Sequence, residues 1–225
     1  MQANRRSFLQ GLVGRASLAG CAASLIATQP GCLGVVANLA HAVGADMIPA
    51  EYTELEDSTV AIVTVTEQSI YSQDPAARTL SDRVGEILLR KVDDVALVRQ
   101  DQLMDWRDTN GWENTDFAEI GRGLKADQVI GIELHNLRLR DGATLYRGRS
   151  DAVVTVHDVE TGNIVYRKEF DDFTYPVTTG QYTSETTEAR FRKLYLGMLA
   201  QRIARCFHPW DKTDDFALDG MIASQ

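Results

Sequence analysis

The run "VAIVTV" at residues 60–65 constrains the fold of this 225-residue chain more than any other stretch. It carries no charge and consists almost entirely of β-branched residues. Strands that are buried on both faces read as continuous apolar runs of this kind, whereas half-exposed strands alternate between apolar and polar residues. The sequence therefore predicts a strand with other elements packed on both of its sides.

The residues that follow supply those elements. Asp74-Pro75 is typical of a helix start, with an aspartate cap and proline in the first turn. The apolar positions after it have helical spacing: Ala77, Leu80, Val84, Ile87, Leu88 and Val92. A second strand is predicted at 95–100, a short helical turn at 101–106 and a loop at 108–114. A further helix is predicted to carry Phe117, Ile120 and Leu124, with Thr115 or Asn114 as its cap.

The second half of the chain reads as a run of strands and a final helix. Within 127–142 the apolar residues alternate and then change phase, which predicts a β-bulge near His135-Asn136. Further strands are predicted at 151–158 and 163–171, and a long helix from Ser184 to Pro209. The order β-α-β-α-β-β-β-α predicts a single α/β domain with a mixed sheet and packed helices over residues 58–210.

The first residues resemble an export signal. Arg5 and Arg6, followed by Phe8 and Leu9, are similar to the twin-arginine pattern S/T-R-R-x-F-L-K, although the hydroxyl residue and the lysine are missing. The apolar run after them is weak and contains two glycines and Arg15, which suits the twin-arginine route. An ordinary secretory signal that happens to hold two arginines is the alternative.

The tetrapeptide "LAGC" at 18–21 resembles a bacterial lipobox, in which the cysteine thiol receives a diacylglyceryl group. This predicts a signal peptide at 1–20, a lipid anchor on Cys21 with a tether to residue 57, and a loose tail at 211–225. Ala22 is not aspartate, which in Gram-negative lipoproteins implies the outer membrane, facing the periplasm. A cleavage site in "LAHA", near residue 42, is the weaker alternative.

Two phrases resemble a group of bacterial envelope domains that includes the TolB amino-terminal domain, the penicillin-binding-protein activator lipoproteins and the curli-secretion pore lipoprotein. "FAEIGRGLKADQVIGIEL" (117–134) is similar to the group's A-x-x-[IL]-G-[KR]-x-L-x-A-D turn into a strand. "VVTVHDVETGNIVYRKEF" (153–170) is similar to its D-x-x-T-G hairpin. The resemblance covers about residues 58–207. It implies lipid-anchored modules that bind, regulate or form envelope machines without enzymatic activity, and no functional residue carries over.

Patterns that suggest chemistry have better structural explanations. "GRGLKA" fits the dinucleotide fingerprint G-x-G-x-x-A, but it closes a predicted helix instead of opening one. His135 and His157 are too few for a metal site, and Asp171-Asp172 point apart on a strand. Cys32 and Cys206 either pair or remain thiols. We therefore expect no metal, no cofactor and no catalytic residues.

The remaining features favour an interaction module. The net charge of −9 disfavours nucleic acid as a partner. Trp106 is predicted to be core, whereas Trp112 lies in a polar stretch and is the candidate partner contact, unless it folds back and only packs. The predicted function is a non-enzymatic envelope module that binds a protein partner or further copies of itself. A small-ligand-binding lipoprotein that serves a transporter is the alternative.

The anchor assignment gives a direct prediction. Cys21→Ala should move the protein from the membrane fraction to the soluble fraction, because two or three acyl chains supply stable attachment. Cys32→Ala is the matched control and should stay with the membrane. If Cys21→Ala resists a salt and carbonate wash, the attachment lies elsewhere, and residues 33–45 become the next segment to test.

Overall fold

The computed structural model describes residues 47–69 and 71–212, which belong to one compact unit that begins at Met47. The helices and strands of this unit, in chain order, are β1 Met47–Ile48, β2 Thr59–Thr66, α1 Pro75–Lys91, β3 Ala96–Leu97, α2 Gln100–Asn110, α3 Phe117–Leu124, β4 Gln128–Asp141, β5 Leu145–Asp158, β6 Ile164–Tyr175, β7 Gln181–Tyr182, α4 Glu188–Ala204 and β8 Trp210–Asp211. The predicted signal peptide, lipobox and cysteines 21 and 32 lie outside the described residues.

The main sheet is mixed, as predicted. Its strand order is β3-β2-β4-β5-β6, with β7 paired to β5. β2 runs parallel to both of its neighbours, whereas β4, β5 and β6 form an antiparallel meander. The two short strands β1 and β8 pair with each other. The predicted α/β class with packed helices is confirmed, and the short strands are additions that the sequence pattern did not reveal.

β2 is buried on both faces, which confirms the interpretation of "VAIVTV". Val60 and Ile62 belong to the larger core cluster, which includes residues of α1 and α4. Ala61 and Val63 belong to a second cluster, which includes residues of α2 and α3. The two clusters are the layers that a doubly buried strand requires, since successive side chains of a strand point to opposite faces.

Local signals explain where the helices begin. The Asp74 carboxylate accepts a hydrogen bond from the Ala76 backbone N–H (2.8 Å) and Pro75 opens α1, so this predicted start is confirmed. The cap of α3 is Asp116, not the predicted Thr115 or Asn114, because its carboxylate accepts from the Glu119 N–H (3.0 Å). α4 begins after Thr187, which caps it, slightly later than predicted.

The largest difference from the sequence-based expectation concerns α2. The predicted strand at 95–100 is only the two residues of β3, and the predicted helical turn is an eleven-residue helix that extends into the expected loop. At the start of this helix the Gln102 side-chain oxygen accepts a hydrogen bond from the Arg99 backbone N–H (3.4 Å). It ends at Gly111, whose φ of 98° suits glycine and turns the chain sharply.

Residues 47–58 pack against the domain although the sequence assigned most of them to the tether. Tyr52 and Leu55 are buried in the larger core cluster. The Glu51 carboxylate accepts hydrogen bonds from the Lys168 ammonium (2.9 Å) and the Tyr166 hydroxyl (2.9 Å), both on β6. This segment therefore adds to the domain before the first strand of the main sheet begins.

The long strands of the meander bend where one carboxylate holds two irregular positions. The Asp151 carboxylate on β5 accepts hydrogen bonds from the Asn136 side-chain amide (2.7 Å) and the Asp172 backbone N–H (2.8 Å). Asn136 and Asp172 have φ values of 55° and 46°, and the strand registers shift beside both. The predicted bulge near His135-Asn136 is confirmed, and a second one lies opposite it in β6.

Asp151 gives a prediction with a pH dependence. The Asp172 N–H, and next the Asn136 amide, hold the pKa of the Asp151 carboxyl below its usual range. The stabilisation is therefore present above the unfolded-state pKa of about 3.9 and is lost as the pH falls through the lower folded-state pKa. Asp151→Asn should lower the free energy of unfolding by about 1 kcal/mol at pH 7, and by less at pH 3.

Urea unfolding of both proteins at the two pH values measures this difference. Asp171→Asn is the matched control, because Asp171 is an exposed neighbour. It should change the free energy of unfolding by less than about 0.5 kcal/mol. A cost for Asp151→Asn that is the same at both pH values would show that the carboxylate charge is not what holds the bulges.

Candidate partner-binding edge

Trp112 follows directly after α2 and is fixed in place. Gly111 reverses the chain, and the indole Nε1–H of Trp112 donates to the Asp108 carboxylate (2.8 Å) one turn back. The guanidinium carbon of Arg107 lies 5.6 Å from the centre of the indole ring. Trp112 is half-buried, so one part of its ring packs on α2 and the other part remains accessible.

Arg107 is the least expected residue of this edge. It is a cation on a helix whose aspartates are all exposed, yet only 3% of its own surface is exposed. Its Nε and Nη2 atoms have no hydrogen-bond acceptor among the described residues. Burial lowers the pKa of the guanidinium, but a group with so high a pKa stays charged.

A small cavity of about 30 Å³ adjoins Arg107 and Trp112. Its polar wall contains a hydrogen-bonded pair of hydroxyls, Thr64 and Ser81 (2.7 Å apart), and the buried Ser69. Its other side is lined by Leu103 and Met104 of α2. The arrangement places a buried charge, neutral polar groups and an accessible aromatic ring at one edge of the domain.

Trp106 has a different place from Trp112. Its half-buried indole packs on the second core cluster, and Gly123 of α3 leaves the space that the ring nitrogen occupies. The glycines of "GRGLKA" therefore serve close packing inside a helix. Gly121 similarly lies against Val129 and Val159, and the left-handed position after α3 is taken by Lys125. The motif precedes a strand, as expected, and does not open a helix.

The other residues that the sequence singled out are not brought together. His135 pairs across the sheet with Asp151, whereas His157 pairs with Val129, so the two histidines lie far apart along β4 and β5. His157 contacts the Phe117 ring, and burial lowers the pKa of its imidazole. No group of three potential metal ligands occurs within the described ranges. Cys206 is a buried free thiol.

A second concave site lies where β2 and β4 end. This crevice, of about 500 Å³, is outside the carboxyl end of a parallel strand pair, which is where open α/β sheets commonly bind ligands. It is lined by Gln68, Asp74, Asn136, Arg138 and Arg140, among others. Arg140 already donates to Glu188 (3.2 Å), so the crevice is partly neutralised from within.

Sequence reasoning missed Arg107 because an arginine in "DQLMDWRDTN" reads as part of a solvated helix face. One signal was available. Arg107 follows the buried Leu103 by four residues, and positions four apart lie on the same side of a helix. Within the part of the chain that the structure describes, no helix is long and apolar enough to cross a membrane.

Comparison with known proteins gives a likeness of fold at low similarity. No protein-family model matches, and no curated protein matches. A PelC dodecamer from Paraburkholderia phytofirmans has 12% identity and a TM-score of 0.42 over 72% of this chain and 96% of that one. Lipoprotein GNA1162 from Neisseria meningitidis has 10% identity and a TM-score of 0.43 over 65% and 94%. The LpoB C-terminal domain from Salmonella enterica has 15% identity and a TM-score of 0.36 over 61% and 91%.

The two tryptophans are expected to respond differently to truncation. Trp106→Ala should lower the free energy of unfolding by about 2–3 kcal/mol, somewhat less than for a fully buried ring, because it leaves a gap between α2 and α3. Trp112→Ala should cost about 1 kcal/mol or less, since it removes one exposed hydrogen bond and a partly accessible ring. Melting curves of the two variants test this, and equal losses would show that Trp112 is a packing residue like Trp106.

Proposed function

We propose that this chain is an exported, lipid-anchored envelope protein whose domain is a non-enzymatic interaction or assembly module on the periplasmic side of the outer membrane. The signal at 1–20, with Arg5 and Arg6 for the twin-arginine route, and the lipobox cysteine, Cys21, support export and anchoring. The partner is an envelope protein, or further copies of this chain.

The observation that carries the proposal is the edge formed by Trp112 and Arg107. Tryptophan and arginine are the residue types most enriched among the energetically dominant positions of protein interfaces. Trp112 is half-buried and held by Asp108, so little conformational entropy would be lost when a partner covers the rest of its ring. A rigid, accessible aromatic ring beside a cation is more typical of a protein contact surface than of a loop that only faces solvent.

The crevice at the ends of β2 and β4 favours the second candidate function, a lipoprotein that binds a small ligand for a transporter. Its volume of about 500 Å³ falls within the range of about 300–1,000 Å³ that is usual for ligand sites. Its lining is mostly polar and charged, and includes Arg138, Arg140 and Arg192. A co-purifying small molecule that is lost on Arg138→Ala would favour this candidate over the first.

Site-specific photo-cross-linking tests the interaction module in the living cell. A photoreactive amino acid at Thr109, an exposed position of α2 close to Trp112, should give an adduct of one discrete mass. Trp112→Ala in the same background should reduce the adduct about tenfold or more, as truncation of a dominant interface tryptophan does. The mass and the yield of the adduct are measured by gel electrophoresis of the membrane fraction.

Tyr182 is the matched control position, because it is an exposed aromatic residue on β7. A probe there should give no adduct or a different one. If the probe at Thr109 gives no adduct, or if both positions give the same ladder of adducts, residues 107–114 are not a specific partner contact.

A further inference from the structure

The buried positive charge of Arg107 is not fully compensated within the described part of its domain. A buried cation is strongly destabilising unless a counter-ion or hydrogen-bond acceptors compensate for the loss of water. Two of its three guanidinium nitrogens, Nε and Nη2, have no acceptor among the described residues, although they are the pair that forms a bidentate contact with a carboxylate. The structure therefore supplies the fork of donors without the acceptor.

The charged groups around the cavity do not fill this role. Asp74 lines the cavity, but one of its oxygens accepts from the Ala76 N–H and the other from the Thr66 hydroxyl. Asp108 accepts from the Trp112 indole instead. Arg78 adds a second cation to the lining, and it contacts the Met104 sulfur. Burial lowers the pKa of Arg107.

The size of the cavity restricts what the missing acceptor can be. About 30 Å³ is close to the volume of one water molecule, so no whole metabolite fits. A small group at the end of a longer chain can enter such a cavity, because the rest of the chain remains outside. Trp112 lines this same cavity, where its ring offers an apolar surface to whatever the group is attached to.

We propose that Arg107 is the receptor for a carboxylate, supplied by an Asp or Glu side chain or by the chain end of a protein partner, with Trp112 packing on the same segment. This inference rests on the proposed function, which it deepens by naming the chemistry of the partner. Arg107 lines the cavity together with the neutral hydroxyls of Thr64, Ser69 and Ser81. A free small carboxylate has the same chemistry, and a trapped water is the simplest competing occupant.

¹⁵N NMR of the arginine side chains measures carboxylate binding to Arg107 directly. The full chain is labelled with ¹⁵N-arginine, and the Nε–H signal of Arg107 is identified by its loss in Arg107→Met. The probes are the capped tripeptide leucyl-glutamyl-leucine, its glutamine counterpart, acetate and acetamide, all at constant ionic strength. The glutamyl peptide should shift the signal downfield and saturate at a concentration at least about tenfold lower than acetate, because its leucines also pack on Trp112.

Each other outcome of the titration overturns part or all of the inference. If acetate saturates as early as the glutamyl peptide, the site takes a free carboxylate and the protein source is rejected. If the glutamine peptide shifts the signal equally, the charge of the probe plays no part. If no probe shifts the signal, a water satisfies Arg107 and the receptor does not exist.

Variants separate this inference from the proposed function. Arg107→Met keeps a flexible, unbranched apolar side chain and removes the uncompensated charge, so its melting temperature should equal or exceed that of the wild type. The same variant should reduce the adduct from Thr109 about tenfold, and Arg107→Lys should retain only part of it, because a single ammonium cannot form the bidentate contact. A marked drop in the melting temperature of Arg107→Met would show an internal partner and overturn the inference.

The two failures are distinguishable. If the adduct from Thr109 persists at full yield in Arg107→Met, the interaction module stands and the carboxylate receptor falls. If the wild type gives no adduct while the glutamyl peptide still shifts the Arg107 signal, carboxylate binding by Arg107 is supported and the proposed partner contact is rejected.

Discussion

The burial of β2 on both faces is the constraint on which the rest of the domain depends. Val60 and Ile62 must be covered on one side and Ala61 and Val63 on the other, so helices have to lie on both faces of the sheet. The connection from β2 passes through α1 to β3, and the connection from β3 passes through α2 and α3 to β4. The carboxyl end of β2 is left between these two routes, and the crevice and the Arg107 cavity described above lie there.

Asp74 shows how closely these sites are connected. Its carboxylate caps α1 and lines both the crevice beside β4 and the cavity beside Arg107. Both carboxylate oxygens of Asp74 accept hydrogen bonds from groups within the domain. The residue that caps α1 therefore lines the cavity beside Arg107 without pairing with its Nε or Nη2 atoms.

The antiparallel part of the sheet is held by a few polar contacts beneath the apolar ones. Tyr195 of α4 is fully buried, and its hydroxyl lies 2.7 Å from that of Ser150 and donates to the Phe173 carbonyl (2.9 Å). Gly148 lies under its ring, where any side chain would collide with it. Together with the Asp151 carboxylate, these contacts fix the bent strands relative to α4, and burial raises the pKa of the Tyr195 phenol, so that it remains a neutral donor.

What the sequence revealed and what it concealed have the same physical origin. The strand at 60–65, the Asp74-Pro75 helix start and the bulge at Asn136 depend on local patterns, such as burial periodicity, capping chemistry and a change of phase. The length of α2 and the burial of Arg107 depend on tertiary contacts, and the only sign of them in the sequence is the spacing of Arg107 four residues after Leu103. The proposed contact at Trp112 was visible as an aromatic residue in polar surroundings, but the cation beneath it was not.

The acidic charge of the whole chain does not oppose a carboxylate receptor at this edge. Charges in water are screened beyond about 8 Å at physiological ionic strength, so the net charge of −9 acts weakly on a group already at the surface. The guanidinium of Arg107 is buried, so water screens its charge less than it screens charges at the surface. Weak repulsion at long range slows the association of an acidic partner. Attraction at short range stabilises the complex once the carboxylate of the partner reaches the cavity. Such a site selects by geometry, because only a segment that also packs on Trp112 gains enough contact to remain bound.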